Sequence, residues 1–488
     1  MTKQTPSPGR RHFIQTVAAG AMLQPFSLLV NTTASGQEVQ SGNQGVASYN
    51  VTGDVLRTDG RLLPGGKLLE VQREIPVAGH SNVFVCGAGP AGIGAALAAA
   101  RAGMSVRLIE LAGCLGGVWT AGLLTKILDA ENKSGIMREI LDALAERGSS
   151  VAKNTSGTVY DPELLKLILE EKCVEAGIKI QLHTAVVGAV TDAKKRVVAV
   201  ITESKSGRQA WTADRFIDCS GDGDLAAQAG CRFDVGYGDQ CECQPMSLMA
   251  LLTGIDMDGV QQYIRENGRD AKPRLLKLMR DASINPSYHA PTLRHLHSGI
   301  YSLMTNHEYG VPATDAGAIT KATIEARAEV FAIVDGLRKL GGPWKDIAVV
   351  ATAEQIGVRE GRRIRGRYTI TAEDIVSGLR HQDAICRARF SIDVHNVFED
   401  GSNPPEVRKF AKAGVKPYDI PLPSLIAADV DGLMMAGRCI SGDFIAHSSY
   451  RVTGNSVPMG EAAGLTSAES IKRGVMPHEL RWSDVAKS

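Results

Sequence analysis

Three glycines are spaced as a phosphate-binding turn requires. Gly87, Gly89 and Gly92 form a G-x-G-x-x-G pattern between an apolar run (83–86) and an Ala-rich segment of helical composition. Gly87 permits a tight turn, Gly89 lets the backbone approach a pyrophosphate, and Gly92 lets a helix pack against the preceding strand. The N-terminus of the helix is expected at roughly Pro90–Gly92, where unpaired N–H groups and the positive end of the helix dipole attract phosphates.

An acidic residue follows at the distance that the same motif requires. A second short apolar run (106–109) ends at Glu110, about twenty residues beyond the glycines, where a carboxylate can accept hydrogen bonds from a ribose. Because strand, helix, strand and acid occur together, they predict a dinucleotide-binding unit. The alternative is a Gly-rich turn in an unrelated α/β sheet.

The N-terminus has the pattern of an export signal. Arg10 and Arg11 precede an apolar Phe-Ile pair, a mildly apolar segment (16–30) and a small-residue cleavage site at 32–34. The apolar segment is too short to span a bilayer comfortably, so residues 1–34 are predicted to be a twin-arginine signal peptide. That route exports folded proteins, which suits a cofactor inserted in the cytoplasm. The predicted location is the periplasm, with the Tat export machinery as a partner; the alternative is an amphipathic tail with a chance Arg-Arg pair.

Length and charge limit the class of protein. The chain has 488 residues, a formal net charge of +1 and 22% charged residues. That length is enough for two domains and a large core. A charge near zero gives no electrostatic argument for a nucleic acid or an anionic membrane as a partner. Length and composition are therefore typical of a soluble enzyme.

The cysteines do not predict a disulfide framework or a metal site. There are nine, an odd number at irregular spacing. Cys86, Cys219 and Cys439 lie in or beside apolar strand patterns and are expected to be buried small hydrophobes. Cys241 and Cys243 form one close pair, which could be half of a redox or metal site, but no second pair or nearby His completes it.

Two further glycine-containing segments indicate which dinucleotide is bound. A strand-like run (216–219) ends in Ser220, Gly221 and Asp222, which resembles the second fingerprint of FAD proteins. Gly116 and Gly117, followed by Thr120, resemble the double-glycine segment that lies against the diphosphate or the ring in many flavoproteins. Either segment alone is a common turn. In this order after the G-x-G-x-x-G motif, they favour FAD over NAD.

The C-terminal part carries the most specific resemblance. Residues 432–442 (GLMMAGRCISG) lead to 446–456 (AHSSYRVTGNS). With 244–249 (QPMSLM) and 359–366 (REGRRIRG), these blocks resemble the FAD-dependent oxidoreductase family often called FAD_oxidored, within the glutathione-reductase-type FAD fold. The C-terminal block is also similar to the succinate dehydrogenase and fumarate reductase flavoproteins. The resemblance covers roughly residues 74–474.

The resemblance implies an α/β fold, and composition and periodicity along the chain suggest the domain organisation and several helices. The expected fold is a Rossmann-like FAD-binding domain, a parallel sheet plus a β-meander, with an inserted α+β cap or substrate domain. Residues 35–80 are predicted as a linker with an edge hairpin, 81–245 as the first part of the FAD-binding domain, 246–345 as the cap and 346–480 as the second part. The segment 256–310 is polar and helical in period. A helix capped by Asp161 is expected to end before Gly177, and a final helix is expected at 454–468.

The resemblance also implies site residues. The turn at Gly454, Asn455 and Ser456 would open a helix whose dipole faces the flavin pyrimidine and stabilises an anionic reduced flavin by ~0.3–2 kcal/mol. His447 and Arg451 match a His and an Arg that lie beside the ring and the substrate in fumarate-reductase-like proteins, and are the predicted catalytic residues. Ser448 stands where that block has Gly, so the substrate geometry need not carry over. The other predicted cofactor residues are Gly87, Gly89, Pro90, Ala91, Gly92, Glu110, Gly116, Gly117, Thr120, Val186, Ser220, Gly221, Asp222, Gly437 and Arg438.

Three functions remain open. The first is a dehydrogenase that passes a hydride from a small polar, hydroxylated substrate, such as a sugar, to flavin N5. The second is a fumarate-reductase-like enzyme that reduces an activated C=C bond, and the third is a flavin-bearing electron-relay protein. The sequence has no second G-x-G-x-x-G for NAD(P)H, so the expected acceptor is separate: a quinone, a cytochrome or O₂.

Two polar clusters admit structural as well as functional interpretations. Arg359, Arg362, Arg363 and Arg365 could anchor FAD phosphates or substrate, or form salt bridges with Glu354 and Glu360. The salt-bridge interpretation is the preferred one. His295 and His297 would face the same way on a strand, as two metal ligands do, but no third ligand is evident.

Overall fold

The computed structural model describes residues 60–149, 157–238, 242–398 and 400–486. The predicted signal peptide, most of the predicted linker and Cys241 lie outside these ranges. The strands are β1 (Gly60–Leu63), β2 (Lys67–Glu70), β3 (Val77–Cys86), β4 (Val106–Ile109), β5 (Lys126–Ile127), β6 (Thr158–Val159), β7 (Lys179–Gln181), β8 (Ala185–Thr191), β9 (Val197–Ser204), β10 (Gly207–Asp218), β11 (Phe233–Asp234), β12 (Ala250–Thr253), β13 (Thr292–His297), β14 (Ile300–Met304), β15 (Ala348–Thr352), β16 (Arg363–Ile364), β17 (Ala384–Ala388), β18 (Tyr418–Pro421) and β19 (Leu433–Met435).

Helices alternate with these strands in the first third of the described chain and again near its end. The α-helices are α1 (Pro90–Arg101), α2 (Gly135–Glu146), α3 (Pro162–Glu175), α4 (Asp224–Gln228), α5 (Met257–Val260), α6 (Ala271–Asp281), α7 (Ala316–Leu340), α8 (Ala372–Ser377), α9 (Pro405–Ala413), α10 (Phe444–Tyr450), α11 (Thr453–Arg473) and α12 (Trp482–Val485). Asp161 caps α3 as predicted, by accepting a hydrogen bond from the N–H of Glu163 at 2.9 Å.

One sheet carries the predicted cofactor motifs. Its parallel part runs in the order β7-β4-β3-β10-β19, and the long strand β10 also pairs antiparallel with β9, which pairs with β8. The two halves of β10 therefore serve a parallel sheet and a β-meander. The ends of β3, β10 and β19 lie side by side, because Asp218 pairs with both Cys86 and Met435. Ligands bind at such carboxyl ends in open α/β sheets, so this edge positions the site.

Small residues set the distance between the two helices that follow β3 and β19. A Cβ on Gly460 would lie 1.9 Å from the Ala91 carbonyl oxygen, and one on Gly464 would lie 2.3 Å from that of Ala95. Helices α1 and α11 therefore touch backbone to backbone and run in the same direction. Because Gly460 lies seven residues into α11, at 1.5 Å per residue the start of α11 extends about 10 Å beyond the start of α1. The two helix N-termini are thus staggered along one edge of the sheet.

A second, antiparallel sheet belongs to the inserted cap. Its order is β13-β14-β12-β15, and α6 and α7 contribute to its core, in which Tyr301, Leu303 and Val334 are buried. The hairpin β13-β14 falls where a helical period was expected. Leu293 and Leu296 are spaced as on one face of a helix, and both are buried in the strand because its register shifts between His295 and His297. Strand β15 pairs with β12, so the sheet reaches beyond the predicted cap limit at residue 345.

No helix in the described part of the chain is both long enough and apolar enough to cross a membrane. Helix α11 is buried at Gly454, Asn455 and Ser456, but it consists largely of small and polar residues.

The predicted hairpin before the sheet is present as β1 and β2.

Candidate functional site

The turn after β3 has the geometry that its glycines predict. Gly87 has φ +91°, a conformation that favours glycine, and its N–H donates to the Ile109 carbonyl at 2.8 Å. A Cβ on Gly92 would stand 1.9 Å from the Gly87 carbonyl oxygen. The turn therefore closes on itself, and Gly92 is required by packing within the protein.

Gly89 differs from its two neighbours in the motif. A Cβ at this position would meet no atom of the described chain within 4 Å. Gly89 is also the N-cap of α1, which has no side-chain cap, so the first N–H groups of that helix are left for another acceptor. Open space next to an uncapped helix N-terminus fits a bound diphosphate.

Glu110 binds the backbone on both sides of this space. One carboxylate oxygen accepts from the N–H of Ala88 at 2.7 Å, and the other accepts from that of Ala112 at 2.8 Å. Burial raises the pKa of Glu110, although these hydrogen bonds act in the opposite direction. The carboxylate thus holds the turn to the end of β4, and its contact with a ribose remains a prediction.

The double-glycine segment packs against the same turn. Gly116 donates its N–H to the Ala88 carbonyl at 2.8 Å, and a Cβ on Gly117 would lie 3.0 Å from Gly89 Cα. Thr120 is buried, and its hydroxyl donates to the Leu115 carbonyl at 2.5 Å. The structure therefore brings 116–117 to the predicted diphosphate position. Thr120 stabilises the segment through its bond to Leu115.

The segment after β10 lies beside the first turn but uses its polar groups within the protein. Arg438 donates to the carbonyls of Gly221 (3.0 Å) and Val358 (2.5 Å) and pairs with Asp222 at 2.8 Å, without hydrogen-bond geometry to that carboxylate. The Ser220 hydroxyl donates to Asp218 at 2.7 Å. These contacts make Arg438 a residue that joins segments of the site.

Val186 lies apart from these residues on the meander strand β8. There it pairs with Thr202 of β9, and its carbonyl accepts from the Gln228 amide at 3.1 Å. Its side chain is half-buried. A direct contact between Val186 and the cofactor remains a prediction.

The C-terminal block meets the first motif through small residues. A Cβ on Gly437 would lie 3.1 Å from the Ala91 Cβ and 3.8 Å from the Ser456 hydroxyl. The Asn455 side chain is fully enclosed, and neither its oxygen nor its nitrogen has a hydrogen-bond partner in the described chain. The N–H of Gly454 donates to the Leu128 carbonyl at 3.1 Å. An orphaned amide at the start of α11 fits the polar edge of a bound ring system.

Together these observations agree with an elongated dinucleotide. The open space at Gly89 and the orphaned amide of Asn455 stand at the staggered N-termini of α1 and α11. The first fits a diphosphate and the second fits the ring. The residues present therefore fit FAD, with its diphosphate against the turn after β3 and its flavin towards α11.

The two predicted catalytic residues have different environments. His447 has no accessible surface, and its ring lies against the backbone of Arg438. Burial lowers its pKa far below the ordinary value, and the charges of Arg363 and Arg451 act in the same direction. The side chain of Arg451 retains 12% of its surface. Arg451 alone is therefore placed to meet a substrate without rearrangement.

Arg451 points to a cluster of polar side chains that the sequence alone did not reveal. Its Nη2 donates to the Asp393 carbonyl at 2.9 Å and to Gln244 Oε1 at 3.2 Å, and lies 3.7 Å from the Asp393 carboxylate. The Gln244 oxygen also accepts from the N–H of His395 at 3.2 Å. We call this cluster the His–Arg recess; its members are Tyr288, His307, Arg359, Asp393, His395 and Arg451.

Two histidines form the centre of the His–Arg recess. His395 Nδ1 and His307 Nε2 are 3.3 Å apart, and His395 Nε2 lies 3.4 Å from the Asp393 carboxylate. The other ring nitrogen of His307, Nδ1, lies 3.3 Å from the Tyr309 hydroxyl. The ring of Tyr288 stacks on His307 with 4.1 Å between centroids. Four polar groups are therefore connected in a line along which a proton can pass.

Burial and charge keep both rings neutral and the carboxylate ionised. Burial, with Arg359 acting in the same direction, lowers the pKa of His395 to about 4, although Asp393 opposes this. Burial followed by the charge of Arg359 also lowers the pKa of His307. Burial acts to raise the pKa of Asp393, but its bond to His395 and the charges of both arginines lower it overall.

The same side chains are accessible. Asp393 retains 42% of its side-chain surface and His395 retains 15%, even though desolvation is the largest influence on the pKa of each. The His–Arg recess can therefore be reached from solvent.

The arginine run divides between the recess and structural pairs. Arg363 pairs with buried Glu360, Arg362 with Asp224 at 2.8 Å and Arg365 with Asp234 at 2.7 Å. Arg359 forms none of these ion pairs and belongs to the recess. Glu354, the other predicted partner, forms no ion pair with the run in the described chain.

His297 pairs with Asp161 at 3.1 Å, and the described ranges contain no group of three metal-ligating side chains.

Comparison with known proteins identifies the family. The family model described as FAD dependent oxidoreductase matches residues 82–488. No curated protein matches the sequence.

Solved structures with a similar fold are distant in sequence. A geranylgeranyl bacteriochlorophyll reductase-like protein from Thermoplasma acidophilum is 14% identical, with 81% of this chain and 79% of that chain covered and a TM-score of 0.43. The flavin-dependent brominase Bmp2 is 13% identical (83% and 81% covered, TM-score 0.45). The p-nitrophenol 4-monooxygenase PnpA from Pseudomonas putida is 12% identical (81% and 82% covered, TM-score 0.46). The family model spans most of the chain, so the protein belongs to the FAD-dependent oxidoreductase family, with FAD as its cofactor.

Proposed function

We propose that this oxidoreductase is an exported dehydrogenase that oxidises a hydroxyl-bearing carbon of a small polar substrate. The observation that carries the proposal is the accessible His395–Asp393 pair, which adjoins Arg451 in the C-terminal block. Oxidation of an alcohol releases a hydride and a proton. When bound, FAD supplies the hydride acceptor at its N5 atom. The protein must then supply a base for the proton.

His395 is the base in this proposal. In one tautomer its Nδ1–H donates to His307, 3.3 Å away, and its Nε2 lone pair accepts the proton of the substrate hydroxyl. The Nε2–H that forms then donates to the Asp393 carboxylate, 3.4 Å away, which stabilises the imidazolium. His307 and Tyr309 continue the line and hold the ring in place. We assign the base to His395 rather than to the predicted His447, because His447 has no accessible surface.

The export and acceptor parts of the proposal rest on the sequence. The Arg10–Arg11 pair and the short apolar segment that follows support twin-arginine export to the periplasm. The missing second dinucleotide motif supports a separate acceptor, either a quinone, a cytochrome or O₂. Replacing both arginines with lysine is expected to hold the chain in the cytoplasm. Export that persists in this variant would contradict the twin-arginine route.

Anaerobic spectroscopy of the purified holoenzyme tests the dehydrogenase activity. Sugars, glycosides, polyols, amines and hydroxy acids are added in turn, and the oxidised flavin band is followed. Loss of the band with one hydroxylated class, together with formation of the carbonyl product, supports the proposal. If none of these compounds bleaches the flavin, the dehydrogenase proposal fails.

A second candidate is the reduction of an activated C=C bond. It is supported by the exposure of Arg451, the one residue of the fumarate-reductase-like pair that reaches the recess. In this direction the His395–Asp393 pair would deliver a proton to the substrate carbon. Reoxidation of the dithionite-reduced holoenzyme by an enoate, without bleaching by alcohols, would favour this reaction. If neither reaction occurs, an electron-relay role follows.

A further inference from the structure

The His–Arg recess carries more positive than negative charge. Arg359 and Arg451 of the recess, and the adjacent Lys272, interact with the Asp393 carboxylate. Glu360 also interacts with Arg451, but it is already paired with Arg363. Buried charges are normally paired, because an uncompensated one loses hydration without recovering it in a contact. The recess therefore has electrostatic capacity for a further anion.

Arg359 is the clearest case of an uncompensated cation. Its Nη1 donates to the Pro245 carbonyl at 2.5 Å and to the Ser247 hydroxyl at 3.0 Å, while Nη2 lies 3.9 Å from the Met304 sulfur. All these partners are neutral, and the described chain gives Arg359 no ion pair. Burial lowers its pKa to about 10, and the neighbouring charge of Arg451 acts in the same direction. Arg359 is therefore a buried cation whose hydrogen-bond partners are all neutral.

Arg451 and Lys272 add to the imbalance. The Nε of Arg451 is buried and has no hydrogen-bond partner in the described chain. Lys272 lies over the ring of Tyr288 at 5.8 Å, with no ion pair in the described ranges, and its pKa is lowered to about 8 by burial and by Arg294 and Arg265. Glu266, the next acid, is already shared by Arg294 and Lys126.

We infer that the His–Arg recess binds the carboxylate of its substrate between Arg359 and Arg451, so that the substrate is a small hydroxy acid. Guanidinium groups bind carboxylates through paired, charge-assisted hydrogen bonds, which are stronger than bonds between neutral groups. The position of the hydroxyl carbon at His395 rests on the proposed dehydrogenase function. The carboxylate site itself rests on the unpaired charge.

Matched acid and amide pairs test the inference at equilibrium. Glycolate and glycolamide, and lactate and lactamide, are titrated into the oxidised holoenzyme at constant ionic strength, and the shift of the visible flavin spectrum is recorded. We expect at least one acid to bind on the order of 10- to 100-fold more tightly than its amide, as loss of a charged hydrogen bond implies. Equal affinity within each pair, or binding of neither member, would overturn the inference.

Variants in the same arginine run supply the control. Arg359→Gln is expected to weaken acid binding by at least tenfold and leave amide binding nearly unchanged, and Arg359→Lys is expected to restore part of it. Arg365→Gln removes a cation that is 48% exposed and paired with Asp234, and should leave acid binding unchanged. An equal loss in the Arg359 and Arg365 variants, both with full FAD content, would contradict a specific site.

The binding measurement separates this inference from the proposed reaction. If acids bind more tightly than amides but none bleaches the flavin anaerobically, the carboxylate site stands and the dehydrogenase proposal fails. If neutral polyols bleach the flavin as efficiently as hydroxy acids do, the dehydrogenase stands and the carboxylate site fails.

Discussion

The turn after β3 and the His–Arg recess are built in different ways. The turn binds through its backbone, and its glycines matter because they have no side chain. Gly87 adopts a positive φ, Gly92 makes room for a carbonyl, and Gly89 faces open space. The recess consists of side chains from separate segments, and its chemistry lies in the charges of Arg359 and Asp393. The first is defined within about ten residues of sequence, whereas the second exists only once the cap lies beside the C-terminal block.

This difference separates binding from reactivity. A backbone turn can bind the phosphates of a cofactor whichever substrate the enzyme oxidises. It therefore determines the cofactor and does not select the substrate. A side-chain cluster has a definite charge and definite pKa values, so it selects a substrate. Mutations in the two regions should therefore affect different measurements.

The largest effects are expected in the turn, where two glycines of the same motif should behave differently. Gly92→Ala places a Cβ 1.9 Å from the Gly87 carbonyl oxygen, so we expect an unstable protein without FAD. Gly89→Ala meets no protein atom and requires no unusual backbone angle. It should leave the thermal stability of the apoprotein unchanged and weaken FAD binding by about tenfold or more, the equivalent of about 1.4 kcal/mol. FAD titration and calorimetry measure both; unchanged FAD affinity in Gly89→Ala would place the diphosphate elsewhere.

The next effect lies in the recess and has two opposite parts. Asp393→Asn removes the carboxylate that stabilises the His395 imidazolium, so anaerobic flavin reduction should slow on the order of 10- to 100-fold. The same change removes the anion that competes for Arg359 and Arg451, so carboxylates should bind more tightly. Stopped-flow reduction and spectral titration give the two values. A slower reaction with weaker acid binding would mean that Asp393 serves mainly to hold the arginines in place.

The pH dependence gives a smaller but sharper test. A base must be unprotonated to act, so the reduction rate should be constant at neutral pH and fall as pH drops through the pKa of His395, about 4. Arg359 lowers this pKa, so Arg359→Gln should move the acid limb to higher pH. An acid limb near the ordinary histidine value in the wild type would show that His395 is not the base.

The smallest effect is expected on the surface end of the arginine run. Arg365 pairs with Asp234, and both side chains are substantially exposed; such pairs contribute about 0–1 kcal/mol. Arg365→Gln should therefore change the free energy of unfolding by no more than about 1 kcal/mol and leave FAD content intact. Arg363→Gln removes the ion-pair partner of buried Glu360 and should lower the free energy of unfolding by about 3–5 kcal/mol. Chemical denaturation compares the two, and equal losses would contradict the division of the run.

Local patterns account for what the sequence could predict. The apolar run, the three glycines and Glu110 predicted the parallel unit, because each residue acts on neighbours within a single βαβ segment. Asp161, Pro162 and Gly177 likewise marked both ends of α3, which is capped as expected. The resemblance of the C-terminal block implied the helix at Asn455, and that helix, α11, continues to Arg473.

The recess was not predictable for the opposite reason. His307 and His395 are 88 residues apart, and neither lies in a spacing pattern that indicates a proton chain. Arg359 was weighed only with its neighbours along the chain, although its partners are Pro245 and Ser247. His447 stood out by resemblance, yet accessibility depends on what packs around it. A usable signal was the pair of polar His-containing loops, at 305–309 and 393–395, that follow strands.

The most direct test of the account compares anaerobic flavin reduction in His395→Gln and His447→Gln, each matched to the wild type in FAD content and assayed with the best hydroxylated substrate. Removing a general base typically slows a reaction by about 10²–10⁴-fold. The account predicts a loss of that size in His395→Gln and a much smaller loss in His447→Gln. A normal reduction rate in His395→Gln, with the large loss in His447→Gln instead, would contradict it.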